Sequence, residues 1–306
     1  MKKIVILLAV LLTQAVFAQK LIAYRDSVEN GYNFWLYVPE SYDPHKADMP
    51  VVISLHGLSL QGTNLNDILR YGVITGLKYG KDYNALIVAP QTPTNWSPEK
   101  LERVRQWVLD RYPSDSNRVY MIGISMGSSG TTDYIGTYPD KIAAAMSLCG
   151  SSHLKNFENL NKVPFWIIHG TADEKINISR SKYIVSRMEK AGPTDRLLTT
   201  WLKGYDHGKL ARFFYIPMTF NWLFSHSLTD KDRPVNKDYT VDTRDLATAY
   251  SGGDKDLWKR IQILDPRKDK KVKIINPKDD PSYNNPPVSE QEQLVEGSEP
   301  ANPLPH

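Results

Sequence analysis

From residue 20 onward, short apolar runs alternate with longer segments whose apolar residues recur at helical spacing. The clearest apolar runs cover Val51–Leu55, 85–89, 119–122, 143–148 and 165–168, with a weaker one at Leu197–Leu202. Continuous runs of this kind are typical of strands that are buried on both faces, as in a parallel sheet. Two earlier β-prone runs, 21–25 and 34–38, are separated by Asn30-Gly31, which predicts a hairpin turn.

Helical patterns lie between the strands. They cover 99–112, Ser179–Ala191 and 209–225, where Pro217 is expected to kink or break the helix, and 254–263 is a candidate for one more short helix. Strands that alternate with helices indicate βαβ units. We therefore predict the α/β class, with a mostly parallel central sheet flanked by helices and an N-terminal hairpin.

The first 18 residues have the three-part pattern of a secretory signal peptide. A basic start at Lys2-Lys3 precedes the apolar run 4–12, and Val16-Phe17-Ala18 places small residues before a cleavage site after Ala18. A membrane anchor is the alternative, but the run is far shorter than the roughly 20 residues that span a bilayer. Because no cysteine follows the run, it is not a lipoprotein signal. We expect a secreted or periplasmic protein without a membrane span.

The chain changes in character near residue 230. We assign 19–228 to one catalytic domain, 229–264 to a C-terminal extension and 265–306 to a flexible tail rich in proline and poor in large apolar residues. The net charge of +4 is too small to indicate a nucleic-acid partner. The single cysteine, Cys149, excludes an intrachain disulfide and a zinc cluster of several thiolates; we expect it to be a small buried residue.

One motif in the chain indicates chemistry: Gly123-Ile124-Ser125-Met126-Gly127 reads G-x-S-x-G, between a predicted strand and a predicted helix. A sharp turn in that setting lifts the serine hydroxyl out of the sheet, and glycines avoid clashes with neighbouring backbone. A serine nucleophile needs a base, usually a histidine, which a carboxylate orients. Asp173 and His207 follow buried strands in the required order, so we predict Ser125 as nucleophile, His207 as base and Asp173 as its partner.

Other residues compete for these roles. Glu174 and Asp206 are rival carboxylates, and Asp173 is also a candidate for a helix cap. His169 is expected to be structural, whereas His45, His153 and His226 have no strand-end context in the sequence.

A tetrahedral intermediate also needs donors for its oxyanion. The backbone N–H groups of Met126 and Leu58 are our candidates, because one follows the nucleophile and the other lies in the loop after the first long strand. Trp96 and Gln91 follow another strand and are candidates for binding substrate, although Trp96 equally suits packing against the next helix.

Together these segments resemble the α/β-hydrolase superfamily, in its secreted esterase and predicted-peptidase branch, which includes feruloyl and acetyl-xylan esterases and polyhydroxybutyrate-depolymerase-like proteins. The resemblance covers about 20–226 and depends on Leu55-His56-Gly57, the G-x-S-x-G motif, the segments 89–91, 117–120, 138–139, 149–150 and 169–173, and His207-Gly208. Two departures are Ser128, where the family usually has a second glycine, and the apolar Leu58-Ser59-Leu60 after His-Gly.

The resemblance implies hydrolysis of carboxylic esters through an acyl-enzyme, without a metal or organic cofactor. It implies a small-molecule or polysaccharide-linked ester as the substrate. A peptidase that acts on short peptides and a non-catalytic binding protein on the same fold are the alternatives, and the sequence leaves the oligomeric state open.

Overall fold

The computed structural model describes residues 19–280, so the predicted signal peptide lies outside the described residues. Within this part of the chain, nine strands form one sheet in the order β8-β7-β6-β5-β3-β4-β2-β1-β9. The strands are β1 (Lys20–Tyr24), β2 (Asn33–Val38), β3 (Val51–Leu55), β4 (Leu86–Gln91), β5 (Val119–Ile124), β6 (Ala144–Leu148), β7 (Phe165–Gly170), β8 (Leu197–Leu202) and β9 (Gln262–Leu264).

The strands from β3 to β8 all run parallel to one another, as the apolar runs predict. The predicted hairpin is also present, because β1 pairs antiparallel with β2, and β2 pairs antiparallel with β4. The carboxyl ends of β3, β5, β6, β7 and β8 meet at one edge of the sheet. Loops at this edge are therefore brought together although they are far apart in sequence.

Helices cover both faces of the sheet, each over its own buried apolar cluster. One face carries α2 (Pro98–Arg111), α3 (Met126–Thr137) and α4 (Ser179–Ala191), and the other carries α1 (Val73–Gly76), α5 (Pro217–Phe224), α6 (Thr243–Ala247) and α7 (Leu257–Arg260). The predicted break at Pro217 is present: a 3-10 segment over 208–215 ends before it, and α5 begins with the proline. Within residues 19–280, no helix is long and apolar enough to cross a bilayer.

The segment 254–263 was expected to form one short helix; a short helix is present, but its bounds are narrower than expected. Only Leu257–Arg260 is helical, and the chain then enters β9, which pairs in parallel with β1. The edge of β1 offers unpaired main-chain groups, and pairing with 262–264 satisfies them. Pairing with the edge of the sheet therefore determines the conformation of 262–264, against the helical pattern of the local sequence.

Residues 265–280 differ from the expected flexible tail, because buried polar contacts hold them against the domain. Asp265 forms an ion pair with Arg25 at 3.2 Å, and both side chains are buried. Further along, the Asn276 amide oxygen accepts a hydrogen bond from the Tyr24 hydroxyl at 2.6 Å. Residues 281–306 of the expected tail lie outside the described residues.

The Arg25–Asp265 pair predicts a loss of stability in acid. Burial alone would raise the pKa of Asp265, but the hydrogen bond from Arg25 and the N–H of Arg267 outweigh it and lower the pKa. Because the pKa is lower in the folded protein than in the unfolded chain, ionisation of Asp265 stabilises the fold. This contribution is complete at pH values above the unfolded pKa of about 3.9, and it disappears as the pH falls through the native pKa. We expect Asp265→Asn to cost about 3–5 kcal/mol near neutral pH, because it leaves Arg25 unpaired.

Thermal unfolding of both proteins between neutral pH and pH 3 measures this effect. The gap between wild type and Asp265→Asn should narrow as the pH falls below about 4. A gap that stays constant over the whole range would contradict the assignment.

Candidate active site

Ser125 lies at the turn between β5 and α3, the strand–turn–helix setting that its motif requires. Its backbone has φ 58° and ψ −120°, a conformation that non-glycine residues rarely adopt. The N–H of Ser125 donates to the carbonyl of Leu148 on β6 at 2.8 Å, which holds the strained turn in place. Strain of this kind is often found at functional sites, where the surrounding structure maintains it.

The two motif glycines are required by close backbone contacts. A Cβ built on Gly123 would lie 2.1 Å from the carbonyl oxygen of Gly127, and one on Gly127 would lie 2.2 Å from the carbonyl oxygen of Leu55. Neither contact involves a side chain that can move away. The glycines therefore allow α3 to pack directly on the ends of β3 and β5.

We expect Gly127→Ala to destabilise the protein by about 3 kcal/mol or more, since backbone must shift to admit the methyl group. Gly208→Ala is the matched control, because a Cβ there has only the Asp206 side chain nearby, at 3.8 Å. Denaturant unfolding of the two variants measures the difference. Equal stability of both variants would show that the turn is more tolerant than its geometry indicates.

Asp173 is buried on the loop after β7, and each of its carboxylate oxygens has defined partners. Oδ1 accepts hydrogen bonds from the N–H groups of Lys175 and Ile176, both at 2.9 Å, and Oδ2 lies 2.7 Å from Nδ1 of His207. Burial alone would raise the pKa of the Asp173 carboxyl. Its hydrogen bonds with Ile176, His207 and Lys175 outweigh burial and lower that pKa, so the carboxylate is ionised at neutral pH.

His207 follows β8, and its ring is oriented by the bond to Asp173. Because a carboxylate only accepts hydrogen bonds, Nδ1 carries the proton and Nε2 is the acceptor in the neutral ring. The side chain is 23% exposed, and it lines the same cavity as Ser125. The structure therefore brings Ser125, His207 and Asp173 to one edge of the sheet.

The residues that compete with Asp173 and His207 for the roles of acid and base have partners of their own. Glu174 is exposed, and Asp206 accepts from the N–H of Lys209 and forms an ion pair with its side chain. His169 is fully buried: its Nδ1 lies 2.8 Å from Ser181 Oγ, and its Nε2 lies 2.9 Å from the carbonyl of Ile176 and 3.3 Å from Oδ2 of Asp173. These contacts agree with the structural role expected of His169.

The loop after β3 lies directly beside the nucleophile. A Cβ built on Gly57 would lie 3.2 Å from Cβ of Ser125, and Gly57, Leu58 and Ser125 line the same cavity. The N–H of Gly57 itself donates to the Tyr71 hydroxyl at 2.9 Å. The loop is also fixed by His56, whose Nδ1 lies 2.7 Å from the carbonyl of Gly57. Burial lowers the pKa of His56 to about 4, which keeps that ring neutral.

Trp96 and Gln91 differ in position. Trp96 lines the cavity, but it is only 7% exposed, and its indole N–H donates to the carbonyl of His56 at 3.2 Å. Gln91 is buried away from the cavity wall and donates to the carbonyl of Leu60 at 3.1 Å. We expected Gln91 to contact substrate; the structure instead places it where it supports the loop 58–60.

The cavity has a volume of about 790 Å³, and its wall includes Asp133, which was not predicted from the sequence, and His153, for which the expected lack of strand-end context was wrong. Asp133 lies on α3, and His153 follows β6 after a short loop. The sequence held a signal for His153, since the run 143–148 predicts a strand end just before it. The exposed Leu58 side chain, at 64%, also lies on the cavity wall, consistent with the apolar segment noted after His56-Gly57.

Within residues 19–280, one group of side chains has three metal-capable atoms close together: Cys149, Asp173 and His207, within 4.8 Å of one another. Burial and the neighbouring Asp173 charge raise the pKa of the Cys149 thiol. A protonated thiol is a poor metal ligand. Oδ1 of Asp173 already accepts two backbone hydrogen bonds, so these residues suit a hydrogen-bonded triad better than a metal.

No family model matches the chain. It is 27% identical over 155 residues to feruloyl esterase B of Thermothelomyces thermophilus, which covers 43% of this chain and 48% of that protein. It is 24% identical over 163 residues to a bifunctional acetylxylan esterase/xylanase of Neocallimastix patriciarum, which covers 50% of this chain and 23% of that protein. The chain thus matches less than half the length of either relative.

Among solved structures, a thermostable esterase superposes with a TM-score of 0.58 at 23% identity, over 69% of this chain and 64% of that one. This similarity agrees with the parallel sheet flanked by helices that is described above. The chain is thus similar in sequence to proteins named as acetylxylan and feruloyl esterases, and its fold is similar to that of a solved esterase.

Proposed function

We propose that the protein hydrolyses carboxylic esters with Ser125, His207 and Asp173 as its triad. The observation that carries the proposal is the hydrogen bond of 2.7 Å between Asp173 and His207, in a cavity that both His207 and the strained Ser125 line. The esterase names of the sequence relatives support the same reaction.

The reaction has two steps. Ser125 Oγ attacks the ester carbonyl carbon while His207 Nε2 takes its proton, and His207 then returns that proton to the leaving alcohol oxygen as the C–O bond breaks. Water attacks the acyl-enzyme with His207 again as base, and the acid and free Ser125 are released. Asp173 stays ionised and stabilises the charged imidazole, while the N–H groups of Leu58 and Met126 stabilise the oxyanion.

The substrate we propose is a small acyl ester or an ester linked to carbohydrate. Relatives named for acetylxylan and feruloyl esters support this class, and Trp96 offers an aromatic edge to the cavity wall. The proposal includes export, which the basic, apolar and small-residue pattern of residues 1–18 supports.

Kinetics on matched esters and amides test the proposal. We expect turnover of p-nitrophenyl acetate and of further acetyl or feruloyl esters, and far slower cleavage of p-nitroanilides that carry the same acyl groups. Faster cleavage of the amides would favour a peptidase. Inertness on every substrate would favour a binding protein.

A further inference from the structure

A second histidine–aspartate pair lines the cavity of the proposed triad. Asp133 lies two turns beyond Ser125 on the same helix, and His153 lies on the loop after β6. Both residues line the cavity that contains Ser125 and His207. The proposed hydrolysis uses neither of them, so their arrangement needs its own explanation.

Asp133 holds His153 through both the backbone and the ring. Its Oδ1 accepts from the N–H of His153 at 2.9 Å and from Ser152 Oγ at 2.7 Å, and its Oδ2 lies 2.7 Å from His153 Nδ1. The carboxylate is only 11% exposed. As in the triad, an acceptor-only carboxylate at Nδ1 places the proton there, which leaves Nε2 as a hydrogen-bond acceptor in the neutral ring.

The loop that carries His153 is tied to α3 at a second point. Ser129 Oγ lies 3.0 Å from Ser151 Oγ and accepts from the N–H of Ser151 at 3.2 Å. These bonds fix the base of the loop, and Asp133 fixes its tip. The imidazole is therefore preorganised for an interaction, which lowers the entropy cost of binding a group there.

The other end of the ring is free for a ligand. The His153 side chain is 66% exposed, and within residues 19–280 its Nε2 makes no hydrogen bond. A second cavity of about 300 Å³ adjoins the main one, and Asn95, Trp96, Asp133 and His153 line both. A substrate that extends from Ser125 into the second cavity passes these shared residues, and His153 is among them.

We infer that Nε2 of His153 accepts a hydrogen bond from a hydroxyl group of the substrate, at a distance from the reacting ester. This inference rests on the proposed ester hydrolysis and makes hydroxylated esters its preferred substrates. An anionic group fits less well, because the Asp133 carboxylate lies behind the ring and repels it. The hydroxyl belongs either to a sugar in the alcohol part or to a phenol in the acyl part.

Two variants of His153 separate ring orientation from ligand binding. His153→Asn keeps an amide N–H near the Nδ1 position, toward Asp133, but removes the acceptor at Nε2. His153→Gln places an amide oxygen near the Nε2 position and so retains an acceptor. Thermal unfolding of both variants checks that the loop remains folded.

Two substrate pairs identify the hydroxyl. One pair is methyl 4-hydroxycinnamate and methyl cinnamate; the other is an acetylated methyl xyloside with free hydroxyls and its O-methylated counterpart. We expect wild type to prefer the hydroxylated member of one pair, and His153→Asn to lower kcat/KM for that member about tenfold, as for one lost hydrogen bond. The member without the hydroxyl should change little, and His153→Gln should recover part of the loss.

Two results would overturn the inference and leave the proposed hydrolysis intact. One is an equal loss of kcat/KM for both members of each pair in His153→Asn, and the other is a preference for the hydroxylated member that persists in His153→Asn. Calorimetric binding of the same four esters to Ser125→Ala gives a readout that needs no turnover. Tighter binding of a hydroxylated member, lost when His153→Asn is added, supports the subsite even if no ester is hydrolysed. Equal or undetectable binding of both members in each pair overturns it.

Discussion

Ser125→Ala is expected to lower kcat/KM for p-nitrophenyl acetate by about 10⁵-fold or more. The activity that is left should be little above the rate of the uncatalysed reaction. The serine oxygen is the proposed nucleophile, and neither water nor the neighbouring groups can form the acyl-enzyme without it. The fold should be unchanged, because the φ of 58° at this position is tolerated as well by alanine as by serine. Steady-state kinetics and thermal unfolding of the variant measure the two effects separately.

Ser128→Ala is the matched control for this prediction. Ser128 lies on the same helix, but it is fully buried and its hydroxyl bonds to Ser147 rather than lining the cavity. We expect Ser128→Ala to keep activity within a few-fold, with a loss of about 1 kcal/mol in stability. Comparable losses of activity in both variants would point to damage of the helix rather than to removal of a nucleophile.

Asp173→Asn is expected to lower kcat by about 10⁴-fold while the protein remains folded. The asparagine oxygen can still accept from the N–H groups of Lys175 and Ile176, which maintain the loop. Its amide group, however, donates toward Nδ1 of His207, which shifts the ring proton to Nε2. The base then faces Ser125 with a proton already in place and cannot accept another.

The rival carboxylates provide the controls for Asp173. Glu174 and Asp206 neighbour the predicted acid and base in sequence, yet neither has a hydrogen bond to His207 in the described residues. We expect Glu174→Gln and Asp206→Asn to retain activity within a few-fold of wild type. A large loss in either variant, with full activity in Asp173→Asn, would reassign the acid.

The sequence was sufficient for the core of the fold because the buried strands are continuous apolar runs. Strands β3 to β7 are buried throughout, so their composition predicts them as strands with little ambiguity, whereas β8 has three half-buried residues and a weaker apolar run. The edge strand β9 was missed for the opposite reason. Gln262 is exposed, and β9 is held mainly by its pairing with β1, a contact that no local pattern encodes.

The three residues of the proposed triad could be nominated from the sequence because each follows a recognisable strand. His153 was set aside for lack of strand-end context, and this interpretation was wrong, because the run 143–148 contains β6 and His153 follows that strand. Gln91 shows that a position after a strand is not sufficient to predict a cavity residue. It also follows a strand, yet its side chain turns toward the carbonyl of Leu60 instead of the cavity, and side-chain direction at a strand end depends on tertiary packing.

Covalent labelling tests the central claim most directly. A fluorophosphonate probe reacts with a serine only when a base activates it, and mass spectrometry of the digested protein locates the adduct. We expect one adduct, on Ser125 of the wild type, and none in Ser125→Ala or in His207→Ala. An unlabelled wild type, or an adduct on any other residue, would contradict the assignment of Ser125 as an activated nucleophile.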